Sequence, residues 1–184
     1  MEIILARHGR PKLGQKRWIT PRQIADWIRG YDQSGVFIGS IPSASSEKAI
    51  RAAYIVSSPL PRSAQSAEAL APSRKITSQE VFREAGLPHA RWNFPRLSAS
   101  VWTLLFRVAW FWGYSANSES LSSASNRAQS AAMRLIELAE EHQSVFVMGH
   151  GIMTALIAKE LVVKGWVGPN RPVHGYWQFR VYRN

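Results

Sequence analysis

Apolar residues recur along the chain with two different periods. Short apolar runs occupy 2–6, 53–56 and 144–148, and each empties into a turn carrying glycine, serine or proline. Such runs are too short for helices and are rich in β-branched and aliphatic side chains, which predicts buried strands. Longer stretches show helical spacing. Ile24, Trp27 and Ile28 predict a helix that Thr20 caps, Pro21 opens and Gly30 stops. From Pro61, Ala64, Ala67, Leu70 and Ala71 define a second helix. Trp102, Phe106 and Trp110 define a third over about 98–112. Ala128, Ala131, Ala132, Leu135, Ile136 and Ala139 line a fourth, after a serine-rich loop over 114–125, and Ile152 to Val163 forms a fifth. Further short strands are predicted over 75–82 and 175–183, and the connection over 31–46 is predicted to be irregular.

The arrangement repeats strand, turn and helix three times. It places turn residues at the carboxyl end of a sheet, where open α/β folds hold their ligands. No internal repeat or linker divides the 184 residues, so a single domain over 1–184 is expected. The segment at about 88–125 is expected to be a lid insertion. Residues 92–114 hold eight of the chain's 20 aromatics.

Composition narrows the chemistry. No cysteine is present, which excludes a disulfide framework, a thiolate nucleophile and Cys-ligated zinc. The apolar start is short and interrupted by Arg7, unlike a secretory signal, and a cytoplasmic location is expected. The formal charge is +11, and residues 1–30 carry seven Lys/Arg against Glu2 and Asp26. Acidic partners follow, and charge alone leaves nucleic acid, a membrane surface, a phosphorylated small molecule and a phosphoprotein all open.

The turns carry candidate chemistry. Arg7-His8-Gly9 closes the first strand. A guanidinium fork matches phosphate, and a neighbouring cation keeps an imidazole neutral and nucleophilic. Arg62 falls in the first turn of the helix after Ser57-Ser58-Pro59, where a cation is unfavourable by roughly 0.3–1 kcal/mol unless an anion binds beside it. Glu84 follows the strand over 75–82 and is a proton donor if it shares a pocket with His8. His150 stands between Gly149 and Gly151, where backbone approaches a ligand closely. His89, His142 and His174 read as structural or solvated residues.

Arg7-His8-Gly9, Ser57-Ser58-Pro59-Leu60-Pro61-Arg62, Phe82-Arg83-Glu84 and Val147-Met148-Gly149-His150-Gly151 together resemble the histidine phosphatase superfamily, the phosphoglycerate mutase-like proteins, in both order and spacing. Glu119-Ser120 with Arg127 resembles a weaker pattern of the same family. The resemblance implies a three-layer α/β/α sandwich with a mostly parallel central sheet. It also implies metal-independent hydrolysis of phosphomonoesters without a cofactor. His8 would carry the phosphoryl group, Arg7, Arg62 and His150 would hold its oxygens with Gly9 and Gly151 beside them, and Glu84 would serve as acid and base. A metal on His8, His150 and Glu84 is disfavoured by the two guanidinium groups and by the lack of an H-E-x-x-H spacing. The alternatives are a phosphoglycerate-type phosphomutase and a non-catalytic basic binding module on the same fold. Arg10, Gly149, Ile152, Ser63 and Ser66 depart from the family's common residues.

Overall fold

The computed structural model describes residues 1–13, 18–169, 173 and 175–184. Its strands are β1 (Glu2–Arg7), β2 (Trp18–Ile19), β3 (Tyr54–Ser57), β4 (Thr77–Ser78), β5 (Leu97–Ser98), β6 (Ser144–Gly149) and β7 (Phe179–Arg183). Its helices are α1 (Ile24–Gln33), α2 (Ser43–Arg51), α3 (Pro61–Leu70), α4 (Ala99–Phe111), α5 (Leu121–His142) and α6 (Gly151–Val163). Part of the basic loop at 11–17, and His174, lie outside the described residues.

The main sheet has the order β4-β3-β6-β1-β7, parallel except for β7, which runs antiparallel to β1. Successive side chains of a strand face opposite sides, and the two central strands bury both faces. Ile3, Leu5, Val145 and Val147 pack into one cluster with the alanine face of α5 and with Met153, Ile157 and Leu161 of α6. Ile4, Ala6, Phe146 and Met148 enter a second cluster with Ala49 of α2 and Ala67 and Leu70 of α3. Two helical layers therefore cover one sheet, the α/β sandwich expected. Among the described residues no helix is long and apolar enough to cross a membrane.

A third cluster lies beyond the sheet. Ile19, Ile24 and Trp27 pack there with Ala99, Trp102 and Phe106, which holds α1 against α4. The Trp102 indole donates to Ile19 O at 2.9 Å. Trp110 is fully buried, belongs to the main core, and donates to Glu119 O at 2.8 Å. The aromatic helix is thus anchored along one face.

Several boundaries differ from expectation, including the strand over 75–82, of which only Thr77–Ser78 forms a strand, and the closing strand, which begins at Phe179. Gly30 does not stop α1. The helix runs on to Gln33, with Tyr31 stacked on Trp27 one turn earlier at 5.0 Å, and ends where Ser34 turns extended. The irregular 31–46 segment contains the start of α2, whose serines serve as packing residues: Ser45 Oγ donates to Trp177 O at 2.6 Å and Ser46 Oγ to Leu70 O at 2.8 Å. Small polar side chains hide that helix from a search for an apolar stripe. α5 begins at Leu121 rather than after Ser125, because Ser120 caps it by accepting from Ser123 N.

Candidate active site

The carboxyl ends of β1, β3 and β6 meet at one edge. Arg7 pairs with Gly149 across the parallel ladder, His8 N donates to Gly149 O at 3.1 Å, and Ser58 N donates to Met148 O at 3.0 Å. Two side chains reinforce the junction. Ser63 Oγ donates to Met148 O, while Ser66 Oγ accepts from Gly9 N at 2.9 Å and donates to Arg62 O at 2.6 Å. Both departures from the family's residues therefore bind the three turns together.

His8 and His150 are buried here, their rings meeting edge-on with centroids 5.0 Å apart. His8 Nδ1 lies 2.7 Å from Gly9 O. A carbonyl only accepts, so Nδ1 carries the proton and Nε2 keeps its lone pair. Burial pushes the His8 pKa from 6.5 down to about 3; the Arg62 and Arg7 charges add to that shift, and the Gly9 hydrogen bond opposes it. His150 is likewise held well below its ordinary value, first by burial and then by His8, Arg62, Arg7 and Arg83. Its Nε2 shares a 2.8 Å hydrogen bond with Ser58 Oγ. The folded protein therefore binds fewer protons at these groups than the unfolded chain. For His8 the window runs from about 3 to 6.5. Its neutral form stabilises the fold in full above 6.5, and that contribution is lost as pH falls through the window. Urea unfolding at several pH values checks the sign: stability is expected to rise from pH 4 to 7, with a shallower slope in His8→Asn.

The guanidinium groups are held by aromatic rings. Arg62 lies over Tyr31 at 4.4 Å and Arg7 over Tyr176 at 4.7 Å. Arg62 also donates to Tyr31 O at 3.0 Å and to Asp32 Oδ1 at 3.3 Å, and Arg83 reaches Asp32 Oδ2 at 3.3 Å. Asp32 and Tyr31 were not legible in the sequence, because the expected stop at Gly30 removed them from the helix. Tyr176 was read as part of a strand and occupies a turn before β7.

Glu84 lies at the start of α6. Its Oε1 accepts from Met153 N at 2.9 Å and Ala85 N at 3.0 Å, and Oε2 accepts from Ile152 N at 3.4 Å. A helix N-terminus presents unpaired amides and partial positive charge, a natural seat for a carboxylate or a phosphate. The loop that carries Glu84 is clamped from behind. Arg127 donates to Val81 O and Arg83 O and pairs with Glu119, whose Oε1 also accepts from Gly86 N, while Arg107 donates to Ala85 O and Gly86 O. The Glu119-Ser120-Arg127 pattern thus positions the loop. Arg107 gave no signal in the sequence beyond its place in the aromatic helix.

Beside the buried histidine pair lies a cleft of about 1260 Å³, which His8 and His150 themselves do not line. Arg7, Arg62, Glu84 and Gly151 line it at the sheet edge; Trp27, Ile28, Leu87, Leu104 and Phe111 supply an apolar wall. His89 lines the same wall, so it is neither a core residue nor a freely solvated one, whereas His142 stacks on Tyr54 at 4.4 Å. Gly9 serves packing as well. Its amide is committed to Ser66, and a Cβ there would stand 2.2 Å from Trp177 Cζ2 and 2.6 Å from Val36 Cγ2. It is a close-packing glycine. Gly9→Ala is expected to destabilise the fold by about 1–3 kcal/mol through overpacking, measured by denaturant unfolding. Gly149 has a comparable reason: a Cβ would meet Thr154 Cγ2 at 2.9 Å, and Thr154 Oγ1 donates to His150 O.

A model of the histidine phosphatase superfamily (branch 1) matches residues 41–177. The chain belongs to this superfamily. No curated protein sequence matches it. Solved structures extend the likeness to the first strand, which the family model leaves out. A mycobacterial hydrolase is 16% identical with a TM-score of 0.67, over 98% of this chain and 87% of its own. A putative α-ribazole-5′-phosphate phosphatase from Escherichia coli is also 16% identical, with a TM-score of 0.62 over 98% and 89%. A mycobacterial glucosyl-3-phosphoglycerate phosphatase bound to inorganic phosphate is 15% identical, with a TM-score of 0.62 over 99% and 93%. At these identities the histidine phosphatase fold is what is shared.

Proposed function

We propose that the protein is a phosphatase that hydrolyses phosphomonoesters through a phosphohistidine on His8. The observation that carries this reading is His8 itself: a buried, neutral imidazole with Nδ1 fixed by Gly9 O, flanked by Arg7, Arg62 and His150. The substrate phosphate sits among the two guanidinium groups, His150 and the α6 N-terminus at Gly151. Charge on its equatorial oxygens grows most stabilised where donors are already aimed and water is scarce. His8 Nε2 attacks phosphorus as the ester P–O bond breaks, and Glu84 delivers a proton to the leaving oxygen. Glu84, now a carboxylate, takes a proton from water as that water attacks phospho-His8, which releases inorganic phosphate and restores the imidazole.

The whole chain acts as one domain in this scheme, with the segment at about 88–125 walling the leaving-group side through Leu104, Arg107 and Phe111. The substrate is a phosphorylated small molecule whose leaving group has apolar surface, since Trp27, Ile28, Leu87, Leu104 and Phe111 line the cleft beyond the phosphate seat. Phosphate release from an aryl phosphate, in chelator and without added metal, tests the reading. Release that depends on His8 supports it, and equal release by His8→Ala contradicts it. Glu84→Gln separates the acid step. Its loss is expected to be about 10²–10⁴-fold on alkyl phosphates, whose leaving oxygen needs a proton, and much smaller on an acidic aryl leaving group.

A further inference from the structure

Among the described residues the outward face of α4 has no partner in the fold. Trp102, Phe106 and Trp110 fill the inner face, yet Val101, Leu104, Leu105, Val108, Phe111 and Trp112 recur at helical spacing on the exposed side. Trp112, at the C-terminal end, is 88% exposed. At the other end β2 pairs with β5 and brings Trp18, 69% exposed, opposite Ser98, while the preceding loop presents Phe94 at 81%. A contiguous apolar surface of this kind marks an interaction site.

Charge identifies the occupant. From Ala85 to Ser118 the chain has no acidic residue. Arg91 and Arg96 are exposed in the loop leading to α4, and the exposed Arg22 joins them through its backbone bond to Trp92 O at 3.1 Å. Apolar side chains along the helix, aromatics at both ends and arginines at the rim match the chemistry of an interfacial helix on anionic lipid. A second copy fits poorly, because a self-complementary contact would bring Arg91 and Arg96 together within a segment, 85–118, that supplies no acid to offset them. Nucleic acid fits poorly as well, since the centre of the face carries no cation.

We propose that the outer face of α4, with Trp18, Phe94 and Trp112 at its ends, docks on an anionic membrane surface. Leu104 and Phe111 belong both to this face and to the cleft wall, so docking sets the cleft mouth at the lipid interface. The contact is independent of turnover. The test is co-sedimentation with phosphatidylcholine vesicles containing or lacking phosphatidylglycerol. The protein is expected to pellet with the anionic vesicles, less so as salt rises, and His8→Ala to pellet equally. Leu105→Glu with Val108→Glu is expected to lower vesicle partitioning by about tenfold or more, given the free energy of burying one large aliphatic side chain. Arg91→Gln with Arg96→Gln is expected to weaken anionic binding selectively, with circular dichroism and aryl phosphate turnover unchanged in both double variants. No binding to anionic vesicles overturns the proposal. So does binding that both variants retain, or a dimer that Leu105→Glu dissociates while vesicles are ignored.

Discussion

His8→Ala is expected to lower turnover of an aryl phosphate by at least about 10³-fold, the scale seen when a covalent nucleophile is removed. The reasoning starts from burial. A histidine that is 2% exposed and beside two arginines has its charged form disfavoured by burial and by both guanidinium groups, which outweigh the Gly9 hydrogen bond and bring its pKa to about 3, so it is neutral at ordinary assay pH. Gly9 O accepts a hydrogen bond from Nδ1–H, which leaves Nε2 as the only ring nitrogen with a lone pair to give. The free enzyme therefore has no acid limb from His8 near 6.5; kcat/KM is expected to hold as pH falls from 7 to 5, apart from loss of folded protein. Alanine removes the imidazole without disturbing the Gly149 O bond made by the residue 8 amide, so circular dichroism at pH 7.5 is expected to be unchanged.

Arg62→Ala carries the second largest effect, on the order of 10²–10³-fold in kcat, comparable to removing an aligned donor from a charge-stabilising site. Arg62 is 1% exposed and spans the floor of the site, held by Tyr31 O, the Tyr31 ring and Asp32. Its orientation is fixed before substrate arrives, which makes the planar fork more than a source of charge. Arg62→Lys is expected to recover little of the lost kcat, because an ammonium cannot make paired contacts to two phosphate oxygens. A lysine variant as active as the native protein would remove the fork from the account.

The three strand–turn–helix units were legible because each joins a short apolar run to a turn and then to a helical stripe. The active-site edge followed from where those turns fall. What escaped the sequence did so for physical reasons. α2 packs with serines, so no apolar stripe announces it. Asp32 lies two residues beyond a glycine that the helix simply absorbs, since a Cβ at Gly30 would meet only Leu13 at 3.8 Å. Tyr176 reaches the site through the turn 175–178, where Trp177 adopts φ +63 against Gly9, a backbone state that no spacing rule foretells. At Gly9 the lack of a Cβ admits Trp177, a packing role that only the folded chain reveals.

Rapid mixing with substrate, quenching in alkali and intact-protein mass measurement tests the central claim most directly. The native chain is expected to gain one phosphoryl group that survives alkali and is lost in acid, mapped to the peptide containing His8 and absent from His8→Ala. Accumulation is expected to increase in Glu84→Gln with an acidic aryl leaving group, where phosphorylation proceeds and hydrolysis is slowed. Steady phosphate release with no phosphorylated chain at any quench time, in the native protein and in Glu84→Gln alike, would contradict a phosphohistidine route.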